Sequence, residues 1–292
     1  MAALAISEGQ EAKVTQIPQA RLVDRQALEQ NRQRRIDPAA LFLHQLAIDI
    51  IHESLEIVNR ELISQTIVTG FHRIWGQSFP DAQFVEDGEL LNFPKGEQDL
   101  VVHGLGLHWA EDPVGQLIQC RHALKPDGLF LAVLFGGQTL HELRVCLAEA
   151  ESRLSGGLSP RVLPMAEIRD LGGLLQRAGF ALPVSESYRQ SVRYETPLHL
   201  MRDLRAMGET NALANRSRRF LRRDVLQLAC EIYQDAFSDA DGRITATFEL
   251  ICLTGWAPAA SQPQPLRPGS AEARLADVLG AKETKLPGGG EN

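Results

Sequence analysis

The amino-acid sequence predicts an α/β fold, a mostly parallel sheet covered on both faces and finished by an antiparallel pair at one edge. Three observations carry that expectation. Residues 99–103 (DLVVH) and 129–135 (LFLAVLF) are short, nearly unbroken apolar runs, the pattern of strands buried on both faces. Segments with helical periodicity stand between such runs, as in sheets built from strand–helix–strand units. Two long strand-like runs, 184–194 and 244–255, then enclose two helical segments, which predicts an edge hairpin carrying a helical lid.

Each element has its own local reason. Residues 1–21 show no pattern and are expected to be a flexible tail; a single globular domain is expected over 22–256. Arginine and glutamine with scattered apolar residues over 22–35 predict a short surface helix. Asp37-Pro38 opens the next helix, with proline in the first turn where its missing N–H costs least. Leu43, Leu46, Ile50 and Ile51 give that helix an apolar stripe. Residues 63–69 and 83–86 predict short strands and 114–124 a helix. Lys125-Pro126-Asp127-Gly128 predicts a turn, because proline fixes φ and glycine allows a positive one. Helices are expected over 139–153 and 168–178, the second stopped at Gly179. The lid is expected over 197–237, with helices at 197–207 and 218–237 above the carboxyl ends of the strands. Residues 257–292 are expected to be a loose tail with a short helix at 271–279.

Composition removes several function classes. The chain has 292 residues, 44% hydrophobic and 23% charged, which suits a soluble globular protein. A formal net charge of −7 supplies no general attraction for nucleic acid or anionic lipid, so neither a nucleic-acid partner nor membrane insertion is expected. Cys120, Cys146, Cys230 and Cys252 form no C-x-x-C pair and match no zinc spacing. Reduced thiols in a cytoplasmic protein, and no metal site, are expected.

Several strings carry a resemblance. Residues 85–93 (VEDGELLNF), 98–109 (QDLVVHGLGLHW) and 124–135 (LKPDGLFLAVLF) are similar, in order, to three segments of the S-adenosylmethionine-dependent methyltransferases. Those segments are an acidic residue before a Leu-Pro-Phe turn, the central strand, and a turn with its following strand. Residues 135–144 (FGGQTLHELR), 156–160 (GGLSP), 170–180 (DLGGLLQRAGF), 200–211 (LMRDLRAMGETN) and 241–256 (DGRITATFELICLTGW) narrow it. Together they resemble the branch of the mitochondrial complex I assembly factor described as an arginine hydroxylase, and its bacterial relatives. The malonyl-carrier-protein methyltransferases stand further off. The resemblance covers about residues 22–279 and is densest after Asp99.

The resemblance implies a Rossmann-like methyltransferase fold, S-adenosylmethionine as cofactor, and a protein of respiratory complex I as partner. It places Gly70, Asp87, Gly104 and Leu105 at the cofactor, and His108, Trp109 and Gly136 in the pocket beside it. A donor of this kind needs a glycine-rich turn at a helix N-terminus for its carboxylate and an acidic residue for its ribose. The expected DLGxGxG motif is absent. Residues 66–76 read TIVTGFHRIWG, and Phe71, His72 and Arg73 obstruct close approach at Gly70. Arg73 could instead meet the donor's carboxylate directly. Between Gly70 and Asp87 the chain is too short for the usual helix, strand and helix, so one βα unit and the ribose carboxylate are expected to be missing. That leaves three functions open: a methyltransferase-family protein with a degenerate donor site acting on or assisting assembly of complex I, a non-enzymatic assembly protein, or a small-molecule or carrier-protein methyltransferase. No catalytic residue is assigned. None of the eight histidines begins an H-x-D or H-x-E pair, so the sequence by itself does not support a two-histidine, one-carboxylate iron site. Residues 215–223 (NRSRRFLRR) carry five arginines. Arg218, Arg219, Arg222 and Arg223 are candidates to grip an acidic partner, with a solvated helix face as the alternative.

Overall fold

The structure, a computed structural model, describes residues 21–34 and 37–263. The expected N-terminal tail and the helix at 271–279 lie outside the described residues.

Among the described residues one sheet of six strands runs in the order β2-β1-β3-β4-β6-β5. The strands are β1 (Gln65–Val68), β2 (Gln83–Val85), β3 (Gln98–Gly104), β4 (Leu124–Phe135), β5 (Ala181–Tyr194) and β6 (Ile244–Trp256). The first four pair in parallel, and β4, β6 and β5 pair antiparallel. As expected, β3 and β4 are adjacent and parallel at the centre, with Val102 opposite Leu131. Their apolar runs are explained by burial on both faces. Leu100, Val102, Leu131 and Val133 face one core, and Val101, Phe130, Ala132 and Leu134 face the other, as the two-residue strand period requires.

Helices cover both faces. On the first lie α2 (Phe42–Glu56), α3 (His72–Ser78), α5 (His141–Ser155), α7 (Pro197–Ala206) and α8 (Arg223–Phe237). On the second lie α4 (Pro113–Ala123) and α6 (Ile168–Arg177), seated through Leu117, Cys120, Leu171 and Leu175. Helix starts follow capping chemistry. The Asp112 and Thr196 side chains accept from the N–H groups of Gly115 and His199, and Pro113 and Pro197 occupy the first turns. Near the N-terminus α1 (Arg25–Gln33) is capped by Asp24, whose side chain accepts from the Ala27 N–H at 3.1 Å.

The structure departs from the sequence expectations in three places. The turn signal at 125–128 does not separate two elements. It forms a bulge inside β4, where Gln98 pairs with Leu124 but Leu100 pairs with Leu129, and Asp127 takes a φ of 63°. Helix α8 begins at Arg223 rather than at residue 218, because 214–222 runs as irregular chain. Of the lid, α7 and the loop after it cover the strand ends, whereas α8 packs against α5 and β6. In the separate short stretch after residue 258, the Gln262 N–H closes a turn onto the Ala259 carbonyl at 3.2 Å.

Candidate functional site

The carboxyl ends of β1, β3 and β4 create two neighbouring places, one around Gly70, Asp87 and Gly104 and one beneath α7. At the first, β1 ends at Val68 and the chain turns through Gly70 into α3. Between Gly70 and Asp87 there is one helix and one strand, and that strand, β2, pairs directly with β1. Asp87 follows β2 and is buried.

Asp87 is fully engaged by the N-terminal helix. Arg32 Nη1 donates to Asp87 Oδ1 at 2.7 Å and to Oδ2 at 2.9 Å. Arg25 Nη2 donates to the Asp87 carbonyl at 2.7 Å. Burial pushes the Asp87 carboxyl upward, and the Arg32 and Arg25 guanidiniums more than offset it, holding it below the usual carboxylate range. Arg32 lies against Gly70, where a Cβ would collide with its guanidinium, and over the Phe71 ring at 5.3 Å. Its Nε and Nη2 find no partner.

Trp75 occupies the other approach. Its ring packs on Gly104 so closely that a Cβ there would collide with it, and its Nε1–H donates to His44 Nδ1 at 3.1 Å. An accepting Nδ1 requires the neutral ring, and burial lowers His44 to about 3. His103, whose Nε2–H donates to Gln116 Oε1 at 3.0 Å, is lowered by burial to about 4. Leu105 follows with a φ of 47°, a left-handed position unusual for a non-glycine residue. In this arrangement the Arg32 guanidinium lies against Gly70 and the Trp75 ring against Gly104. Arg73 is exposed and lines a cleft together with Gly70, Phe71 and His72.

The second place is a cavity of about 250 Å³ beneath α7. Trp109, Phe135, Leu140, Met165, Met201 and Met207 supply much of its apolar wall. Thr139, Arg161, Arg205, Thr210, Asn211 and one carboxylate interrupt that wall. Glu209 is 10% exposed, and its Oε2 accepts from Trp109 Nε1 at 2.9 Å while Oε1 has no partner. Burial raises Glu209, yet the neighbouring His108 ring, Arg32 and the Trp109 N–H outweigh it and keep the carboxyl below its ordinary range. His108 Nε2 stands 3.9 Å from Glu209 Oε2, and its ring packs on Phe135. Thr210 Oγ1, also on this wall, is unpartnered.

The residues expected from the sequence therefore separate. Trp109 lines the cavity and His108 packs just behind it, whereas Gly136 lies against Glu249 of β6. Gly70, Asp87, Gly104 and Leu105 gather at the strand ends as expected, but around Arg32 and Trp75. The four arginines lie in and just after the irregular stretch before α8. Arg218 pairs with Asp24 at 3.0 Å and Arg222 with Asp224. Sequence reasoning missed Arg32 and Glu209. The signal for Arg32 was its spacing of seven from Arg25, which puts both on one helix face. The signal for Glu209 was a carboxylate two residues past Met207, in a segment whose other side chains are largely apolar or basic.

Comparison with known proteins fits this architecture. A methyltransferase-domain family matches residues 37–132. The mitochondrial arginine-hydroxylase NDUFAF5 of Danio rerio is 37% identical over 227 residues, covering 78% of this chain and 70% of that protein. The chain belongs to the S-adenosylmethionine-dependent methyltransferase superfamily, in the NDUFAF5 branch. Human NDUFAF5 is 38% identical over 72% of the chain and 60% of the relative, so the chain spans about three fifths of that protein's length. The malonyl-[acyl-carrier protein] O-methyltransferase of Halorhodospira halophila is 34% identical over 58% of this chain and 56% of that one. Among solved structures, the YcgJ protein of Bacillus subtilis has a TM-score of 0.47 at 12% identity, over 74% of this chain and 100% of that one. The NDUFAF5 relatives are named as mitochondrial proteins, so the cytoplasmic expectation gains no support from them. Among the described residues of this NDUFAF5-branch chain, no helix is long and apolar enough to cross a membrane.

Proposed function

We propose that this chain acts on, or assists assembly of, respiratory complex I by receiving a basic side chain of a partner subunit in the cavity beneath α7. The observation that carries this is Glu209: a buried, ionised carboxylate with one unpartnered oxygen, the single carboxylate in a lining that is mostly apolar and also holds Thr139, Arg161, Arg205, Thr210 and Asn211. Such a group is costly until a donor reaches it. A guanidinium or ammonium supplies that donor, and the aliphatic stem behind it suits walls of leucine and methionine, which adapt to irregular shapes. The Trp109 ring beside Glu209 adds a face for a cation. The name of the NDUFAF5 relatives, arginine hydroxylase, agrees with a side chain of this kind.

A second reading is favoured by Arg32 and Trp75. With both lodged at the strand ends, the donor site is degenerate and the chain works as a non-enzymatic assembly protein on a methyltransferase fold. The two readings share the cavity and differ only in whether chemistry follows binding.

The cavity is tested with Nα-acetyl-arginine methylamide and its neutral isostere, the citrulline derivative, by ligand-observed NMR. The arginine compound should bind at least about tenfold tighter, which is about 1.4 kcal/mol, and Glu209→Leu should erase the difference. Equal binding of the two compounds, or discrimination that survives Glu209→Leu, would remove the proposal.

A further inference from the structure

A second surface adjoins the cavity. The stretch before α8 carries Phe220, whose side chain is fully exposed at 101%, and across from it Leu158 is 68% exposed. Both line a cleft of about 290 Å³ together with Leu221, Val225, Arg219 and Arg222. Two exposed apolar side chains bordering one cleft are a feature that a solitary surface residue is not. Arg161 and Leu221 line both this cleft and the cavity beneath α7, so the two adjoin.

The charge of this surface is opposite to that of the chain. Residues 216–225 hold five arginines and one aspartate, which is +4, whereas the whole chain is −7, leaving −11 on the remainder. Part of the positive charge is internally held. Arg161 donates to Glu151 at 2.9 Å through Nε, Arg216 pairs with Asp24 at 2.9 Å, and Arg222 pairs with Asp224. Among the described residues Arg219 and Arg223 have no ion-pair partner, and Arg219 lines the cleft.

We propose that this cleft docks an acidic, extended segment of a partner protein, seated on Phe220 and Leu158, whose neighbouring basic side chain enters the cavity. The entry of that side chain rests on the cavity reading above; the docking does not. Arginine beside an exposed aromatic is the composition of interface anchors. Carboxylates of the segment meet Arg219, and Arg222 where they displace its Asp224 partner, and their attraction sets encounter and register. A flat anionic lipid surface fits less well. It would touch Phe220 and the arginines but not the floor at Leu221 and Val225, and the −11 elsewhere would oppose it.

The probe is a short fluorescein-labelled peptide in which one arginine has leucine on either side and glutamates beyond, titrated with the full chain by fluorescence anisotropy. At low salt the chain should bind it. Arg219→Glu with Arg222→Glu should weaken binding about tenfold or more, and the loss should shrink at about 0.5 M salt. Phe220→Ala should weaken it about fivefold or more at either salt. Arg177→Glu with Arg189→Glu changes net charge equally on other surfaces and should leave affinity within about twofold. Thermal unfolding of each variant checks that the fold is kept. A probe with norleucine for arginine separates the two ideas: weaker binding of it reports the cavity, while the groove variants should still weaken whatever binding remains. Absence of binding by the unaltered chain, or equal loss in the control pair, overturns the docking surface. So does sedimentation with phosphatidylserine vesicles that depends on Phe220 while the peptide is ignored.

Discussion

Arg32, Glu209 and His44 show how single side chains shape the strand ends. Arg32 and Asp87 are a buried pair, and removing one partner of such a pair is more damaging than removing both. Asp87→Ala should destabilise the chain by about 3–5 kcal/mol, and combining it with Arg32→Met should recover much of the loss, as read by urea unfolding. A double variant no more stable than Asp87→Ala would show that Arg32 is not the group left stranded. His44 and His103, lowered to about 3 and about 4, make a pH signature. Their folded pKa values lie below the unfolded value near 6.5, so the unfolded chain binds protons that the folded chain excludes. Stability is therefore intact above about pH 6.5 and falls as pH drops toward 4, by up to roughly 1.4 kcal/mol per pH unit for each histidine. Thermal melts across that range should show the loss, and His103→Gln should remove its share and leave that of His44. These residues were only partly legible. Asp87 and Gly104 were readable because strand ends carry recognisable strings. Arg32 was not, because its spacing of seven from Arg25 puts both on one helix face without showing that this face turns inward.

At the scale of elements, α1 acts as a strap. The Asp24 N–H donates to the Ala212 carbonyl at 2.7 Å, and Asn31 donates to the Thr210 carbonyl at 3.2 Å, so α1 ties the loop after α7 to the strand ends. Asp24 caps α1 and also holds Arg216 and Arg218. Asp24→Ala should cost about 1 kcal/mol through the lost cap and speed amide exchange over residues 25–33 and 208–214, while α2 stays protected. Uniform loss of protection across α1 and α2 would mean that the strap has no independence. Strand and helix placement was legible wherever period and burial agree, as in β3, β4, α4 and α6. The β4 bulge was not. The Lys-Pro-Asp-Gly signal is real, but it reports a local backbone excursion, and the ladder resumes on either side of it. The start of α8 was also misplaced, because arginine is a good helix former and propensity alone cannot show that 214–222 is held by side-chain bonds instead.

Across the whole molecule, the two cores on either face of the sheet set stability, and the strand ends are free to vary. Leu131→Ala, at the centre of β4, should cost about 2–5 kcal/mol, whereas Leu158→Ala in the exposed cleft should stay within about 0.5 kcal/mol. That contrast lets a fold keep its sheet while the side chains at its strand ends change. Two-faced burial fixes β3 and β4, but nothing in the cores requires Gly70 or Gly104 to remain open. The fold was legible because two buried faces demand a continuous apolar pattern. The proposed filling of the donor place was legible only as missing chain between Gly70 and Asp87, since the side chains packed there come from α1 and α3. Isothermal titration of the intact chain with S-adenosylmethionine tests this most directly. Each lost polar contact to a charged ligand costs about 1.5–3 kcal/mol, so no saturation is expected up to millimolar donor. A saturable, one-to-one dissociation constant in the micromolar range would contradict it, and would mean that Arg32 and Trp75 move aside to admit the donor.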